Sequence, residues 1–200
     1  MATSLTYFNF DGSRGQECRL ALAAAGIPFE DIRLDRPEWM ALKPTTPYGA
    51  LPILTEDGRT LAQSNAILAY VGRKHGLHPA DPWAAAEHEA VMQSCEDLRY
   101  KVALPAGLSD EDKRTTREAF ASGWLATWAA TISGRVAGPF LEGAAMSVAD
   151  IKLAVVLKAV LAGTYDHIPG STLDAWPKLR ALVAAVEANP GIAAFVVQKR

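Results

Sequence analysis

Ala50-Leu51-Pro52-Ile53-Leu54, followed a few residues on by Gln63-Ser64-Asn65-Ala66-Ile67-Leu68, is where the fold of this chain becomes readable. The first segment is an apolar, strand-like run with a proline inside it. Pro52 has no N–H to give to a ladder, so a central strand does not run through it. A cis Leu51–Pro52 bond would turn the chain there and leave the Leu51 backbone to pair with an extended, peptide-like ligand. The second segment opens a helix, where the Ser64 hydroxyl and the first-turn N–H groups suit a carboxylate. Together the two describe a place that holds a small acidic peptide by its backbone and by one carboxylate.

Working outward, the first half alternates strand and helix signals and the second half is almost all helix. Thr3 to Phe8 reads as a strand, and Ser13-Arg14-Gly15-Gln16 as a capping box for a helix that stops at Gly26. Phe29 to Leu34 alternates as a second strand, followed by an irregular stretch. Leu51 to Thr55 and Arg59 to Ala62 then form a hairpin about Glu56-Asp57-Gly58. Ser64 to Lys74 is the next helix, ending near Gly76. This βαβ, ββα order is that of a thioredoxin-like domain.

His78-Pro79-Ala80-Asp81-Pro82 is a stiff linker, since two prolines fix φ and resist helix. Beyond it, Trp83 to Ala103 is a long helix, Ser109-Asp110-Glu111-Asp112 caps the next, and Ser147-Val148-Ala149-Asp150 is a capping box for an apolar helix through Leu161. Trp176-Pro177-Lys178-Leu179 starts one more, which ends near Asn189-Pro190-Gly191. The expected fold class is α/β plus all-α: a thioredoxin-like domain over 1–77 and a helical bundle over 83–200.

Composition narrows the function. The 200 residues are 50% hydrophobic and 21% charged, enough to bury a substantial core in one large or two modest domains. A formal net charge of −2, with no basic stretch interleaved with aromatics, argues against nucleic acid as a partner. The N-terminus has no signal-peptide pattern and no long uncharged apolar span follows, so a cytoplasmic protein without membrane attachment is expected. Cys18 and Cys95 are far apart and lack CxxC or His at ligand spacing, so neither a disulfide framework nor a metal site is expected. Each lies in a predicted helix, as small buried hydrophobes do.

The ordered motifs resemble those of the cytosolic glutathione transferases, over essentially the whole chain, and most closely the tyrosine-type, sigma-like group. Leu5-Thr6-Tyr7-Phe8-Asn9 is similar to the family's first strand, Gly49-Ala50-Leu51-Pro52-Ile53-Leu54 to its proline turn, and Gln63-Ser64-Asn65-Ala66-Ile67 to its Q-S-x-A-I motif. Glu96-Asp97-Leu98-Arg99, Ser147-Val148-Ala149-Asp150 and Trp176-Pro177-Lys178-Leu179 fit its helical domain. Two departures stand out. The segment from Asn9 to Gln16 is longer than the family's YFxxRG pattern, which leaves the register of Arg14 open. Ala50 replaces the common Gln or Asn, where only the backbone of the next residue is needed.

The resemblance implies glutathione as co-substrate, no metal, a homodimer, and a reaction in which glutathione's thiolate attacks a hydrophobic electrophile. A free thiol has a pKa of about 8.5, so the protein must favour the charged form. Tyr7 is the expected thiolate stabiliser, by hydrogen bonding near the start of the first helix; Ser13, at that start, is the competing group. The resemblance places Arg14, Trp39, Lys43, Leu51, Pro52, Gln63 and Ser64 around glutathione. It also has Asp97 reach the glutathione of a second subunit, into which Tyr48 would insert as an aromatic key. Phe10, Tyr100, Leu104 and the Phe195-Val196-Val197 segment are expected to line the electrophile site, whereas Trp124, Leu125 and Trp128 read as core. Glutathione-dependent isomerisation, peroxide reduction and non-catalytic binding of glutathione or a hydrophobe remain alternatives.

Overall fold

The computed structural model describes residues 2–198, which form two compact units. One holds the residues up to Ala85 together with those from Ala188 onward, and the other holds Ala86–Glu187. In the first unit, strand β1 (Thr3–Phe8) lies between β2 (Glu30–Leu34) and β3 (Ile53–Glu56), and β4 (Arg59–Ala62) forms the far edge. β1 and β2 are parallel, while β1 with β3 and β3 with β4 are antiparallel. Helices α1 (Ser13–Ala24), α2 (Arg36–Leu42) and α3 (Ser64–His75) connect the strands in thioredoxin-like order.

Local chemistry explains most boundaries. Asp57 and Gly58 both have positive φ, 50° and 77°, which is the two-residue hairpin turn whose twist matches that of its strands. β3 begins at Ile53, two residues later than the pattern at Leu51 suggested, because Pro52 cannot donate to either neighbour. α1 ends as expected, with Gly26 N–H donating to the Ala23 carbonyl and Ile27 N–H to the Leu22 carbonyl. The capping box expected at its start does not form. Gly12 is the N-cap residue and no side chain caps the helix. The stretch read as irregular after β2 contains α2, whose Asp35-x-x-Glu38 capping box has both reciprocal bonds, 2.9 Å and 2.8 Å. That signature was visible in the sequence.

The second unit is helical, with α4 (Pro82–Ala103) entering it and then α5 (Asp110–Phe120), α6 (Ala126–Arg135), α7 (Val148–Leu161) and α8 (Pro177–Glu187). α7 is its core helix. Ile151, Leu153, Val156 and Leu157 are at most 1% exposed. Ser147 and Asp150 form the expected capping box, and Asp150 also accepts from Leu141 N–H at 2.8 Å. Burial pushes the Asp150 carboxyl up, against the pull of the hydrogen bonds from Ser147 and Leu141. Between α5 and α6 the helix widens into a single π turn, Ala121–Leu125, beside which Phe120, Trp124 and Trp128 stack. Leu125 and Trp128 are core, with the Trp128 indole donating to Ser94 Oγ at 3.1 Å.

A last helix, α9 (Pro190–Gln198), follows where the sequence pattern ended the final helix. The Asn189 side chain caps it by accepting from Gly191 and Ile192 N–H. α9 packs on α1, and the Phe195 ring lies 5.7 Å from that of Phe29. Phe29 immediately precedes Glu30, the partner of Ser4, so it stands at the N-terminal end of β1, away from Tyr7. Phe195 therefore packs α9 onto its own unit. Both cysteines are buried and neither is in a disulfide. Among the described residues, no cluster of three His, Cys, Asp or Glu could hold a metal ion, and no single helix is long and apolar enough to cross a membrane.

Candidate functional site

The C-terminal end of β1 and the first turns of α1 and α3 carry the residues singled out in the first unit. Tyr7 is 5% exposed and pairs in register with Arg33 of β2. Its ring is seated on the first turn of α1: a Cβ at Gly15 would lie 2.0 Å from Tyr7 Cδ1. Only glycine permits that approach. Phe8 and Phe10 flank the ring at centroid distances of 5.3 Å and 5.6 Å, and Phe10 remains 46% exposed. Ser13, with φ of 55°, opens α1 two residues before Gly15, so both candidate thiolate partners stand at one corner. Arg14 follows it, half-buried.

Trp39, on α2, meets Phe8 edge-on at 5.8 Å, which brings it to the neighbouring strand end. Lys43 is exposed in the short turn after α2, its stem running past Gly49. Tyr48 is 80% exposed, with a left-handed backbone. The Leu51–Pro52 bond is cis, and both ladders of β3 begin beyond it, at Ile53 with Thr6 and with Ala62. Leu51 thus lies outside the paired strands.

Gln63 has φ 73° and ψ 117°, a conformation that non-glycine residues seldom hold and that clusters at functional positions. It is the N-cap residue of α3, and no side chain caps that helix. Ser64 is therefore not the cap but the first helical residue, 4% exposed. The first-turn N–H groups of α3, uncapped and at the positive end of the helix dipole, favour an anion.

In the second unit, Asp97 and Tyr100 are exposed on α4, and Leu104 is exposed just past its end. Glu96 is engaged differently from its neighbour Asp97. Lys152, wholly buried on α7, donates to Glu96 Oε1 at 2.6 Å, and Arg99 donates to the same oxygen at 2.8 Å. Trp124, half-buried, carries the Lys101 ammonium 5.3 Å from its ring centroid.

Arg19 escaped sequence reasoning. It is wholly buried in α1, yet its guanidinium reaches Asp31, the Phe8 and Phe10 carbonyls and the face of Tyr7. The available signal was an arginine set inside the apolar run Cys18-Arg19-Leu20-Ala21-Leu22. Gly15 was read only as part of a cap. Its use as a seat for Tyr7 depends on a contact between elements that no local pattern announces.

A thioredoxin-like unit with a cis-proline turn beside an uncapped helix start, accompanied by a helical unit, defines the class of two-part cytosolic glutathione transferase folds. Residues 3–73 match the glutathione S-transferase N-terminal domain and residues 96–199 the glutathione S-transferase C-terminal domain. The chain is 34% identical to the hematopoietic prostaglandin D synthase of Gallus gallus, across 98% of this chain and 95% of that protein. It is 43% identical over 113 residues to glutathione S-transferase 1 of Ascaris suum, a match spanning 54% of each. The solved structure of prostaglandin synthase D of Nilaparvata lugens aligns with a TM-score of 0.87 and 28% identity, covering 100% of this chain and 99% of that one. This chain belongs to the glutathione S-transferase family.

Proposed function

We propose that this glutathione transferase conjugates glutathione to hydrophobic electrophiles, with Tyr7 stabilising the thiolate, in the manner of the tyrosine-type, sigma-like group. The observation that carries the reading is the seating of Tyr7 on Gly15, which puts a rigid phenol at the start of α1. A phenol O–H directed at sulfur favours the charged form, and the positive end of α1 adds to it. Each unit by which the thiol pKa falls represents about 1.36 kcal/mol of preference for thiolate. Rate then comes from that preference and from proximity of the second substrate.

Residues 1–77 serve as the glutathione-binding domain. The Leu51 backbone beside Pro52 pairs with the peptide, Ser64 and the α3 N–H groups take the γ-glutamyl carboxylate, and Gln63 assists. Lys43 and Trp39 meet the glycyl end, with Arg14 alongside. Residues 83–200 contribute Tyr100 and Leu104 to binding of the hydrophobic substrate. Asp97 completes the glutathione site of a partner in a homodimer, and Tyr48 is the aromatic key between subunits. The protein works in the cytoplasm in detoxification, without metal, nucleic acid or membrane.

The test is a thiolate-absorbance titration of bound glutathione in wild type and Tyr7→Phe, alongside turnover of an activated aryl halide. A bound thiol pKa well below that of free glutathione, raised in Tyr7→Phe with loss of turnover, supports the reading. A shift indifferent to Tyr7 transfers the role to Ser13. A second reaction, glutathione-dependent isomerisation, is favoured by the similarity to prostaglandin D synthases. Product analysis with a prostaglandin endoperoxide separates it from conjugation, because isomerisation returns glutathione unchanged.

A further inference from the structure

We propose that Arg19 is a positioning residue for Tyr7, an inference that rests on the reading of Tyr7 as the thiolate's partner. A buried guanidinium costs several kcal/mol unless its donors are met, so the acceptors it is given are informative. Arg19 Nε donates to Asp31 Oδ1 at 2.7 Å, Nη1 to the Phe10 carbonyl at 2.9 Å and Nη2 to the Phe8 carbonyl at 3.2 Å. Its Cζ lies 5.7 Å from the Tyr7 ring centroid. Asp31 alone would serve to hold α1 against β2. The two carbonyls do something else, for they belong to the backbone that leaves β1 directly after Tyr7, and Phe10 also packs its ring on that tyrosine.

The hold extends into the lengthened loop. The second oxygen of Asp31 accepts from Arg33 Nε at 2.8 Å, and Arg33 Nη2 reaches Asp11 Oδ1 at 2.5 Å. Burial opposes the charge on Arg33, but hydrogen bonds and attraction from Asp11 and Asp31 outweigh it and raise its pKa. Arg33 is the register partner of Tyr7. Two guanidiniums sharing one carboxylate thus fasten the loop at the Phe10 backbone and the Asp11 side chain. Beside Tyr7 stand Arg19 on α1 and Arg33 on β2, with Asp31 countering both and Asp11 countering Arg33. Loss of a few tenths of an ångström in the phenol's position weakens a hydrogen bond to a thiolate more than it weakens binding of the peptide, which is held elsewhere. Lysine cannot replace the arginine, since an ammonium lacks the planar fork that spans three acceptors.

The experiment uses the full chain and glutathione, reading the bound thiol's pKa by thiolate absorbance together with kcat and KM for glutathione. It compares wild type, Tyr7→Phe, Arg19→Lys and Asp11→Ala. Arg19→Lys, which keeps the charge and loses the fork, is expected to raise the thiol pKa by about one unit, roughly a tenfold loss of thiolate at neutral pH. KM for glutathione should stay within about threefold while kcat falls, a split that a merely structural defect would not produce. Asp11 is 59% exposed, so Asp11→Ala leaves the core intact and should move the pKa in the same direction by less. Wild-type pKa values in Arg19→Lys and Asp11→Ala, with Tyr7→Phe raised, overturn the role of Arg19 alone. An unmoved Tyr7→Phe overturns the assignment of Tyr7, and this inference with it. If Arg19→Lys does not fold, Asp11→Ala decides, and an unmoved pKa there is the contrary result.

Discussion

Gly15 is the most exacting position in the chain, because the aromatic ring of Tyr7 occupies the volume that any side chain there would need. Gly15→Ala must displace Tyr7 or tilt the first turn of α1, since 2.0 Å is far inside van der Waals contact. We expect a loss of about 1–3 kcal/mol of stability, typical of overpacking, and a drop in kcat/KM larger than the change in glutathione affinity. Denaturant unfolding and steady-state kinetics on the one variant check both. Tyr7→Phe keeps the packing and removes only the hydroxyl, so it should leave the unfolding midpoint near wild type. Its kcat/KM is expected to fall by about 10²-fold, the usual scale for deleting one hydrogen bond to a developing or stabilised anion. Legibility differs sharply among these residues. Tyr7, Ser64 and Pro52 stood out because each sits in a motif with a local physical meaning. Arg19 and Gly15 did not, because their roles consist of contacts made across α1 and β1.

Among the elements, α7 and the β3–β4 hairpin allow two clean tests. Ser147 accepts from Asp150 N–H while Asp150 accepts from Ser147 N–H and from Leu141, so the box both starts α7 and ties the preceding loop to it. Ser147→Ala should cost about 1 kcal/mol by urea unfolding, the usual value of an N-cap hydroxyl, with secondary structure retained. The hairpin is clipped to α3 by Glu56, which accepts from the Tyr70 hydroxyl and, at 2.6 Å, from Lys74. The hydrogen bonds from Lys74 and Tyr70 hold the Glu56 carboxyl below its ordinary value of 4.5. A depressed folded pKa means that this contribution is fully present above the unfolded value and is lost as pH falls through the folded one. Wild type should therefore lose more stability than Glu56→Gln on acidification below pH 4.5, which unfolding midpoints along a pH series will read. Helix capping was legible at α5 and α7, where Ser109 and Ser147 stand at the expected positions. It misled at α1, where Ser13 lies inside the helix and Gly12, which has no side chain to offer, occupies the N-cap.

For the molecule as a whole, the homodimer proposal is the most consequential. Sedimentation should show a species of twice the 21.4 kDa chain, and Tyr48→Ala should shift it toward the monomer. Asp97→Asn should raise KM for glutathione in the dimer with little change in folding stability, since Asp97 is exposed on α4. The sequence alone was enough for the thioredoxin-like order of strands and helices, the change to an all-helical second half, and the proline turn at Leu51–Pro52. Those depend on periodicity, proline and helix-start chemistry, which act within a few residues of one another. Tertiary structure decided the rest: the seat of Tyr7 on Gly15, the Arg19–Asp31–Arg33–Asp11 clamp, and the return of α9 to pack Phe195 on Phe29. Each joins residues separated by many positions, and burial of a charge or close approach of a ring to a backbone has no energy until the elements that make it are packed together.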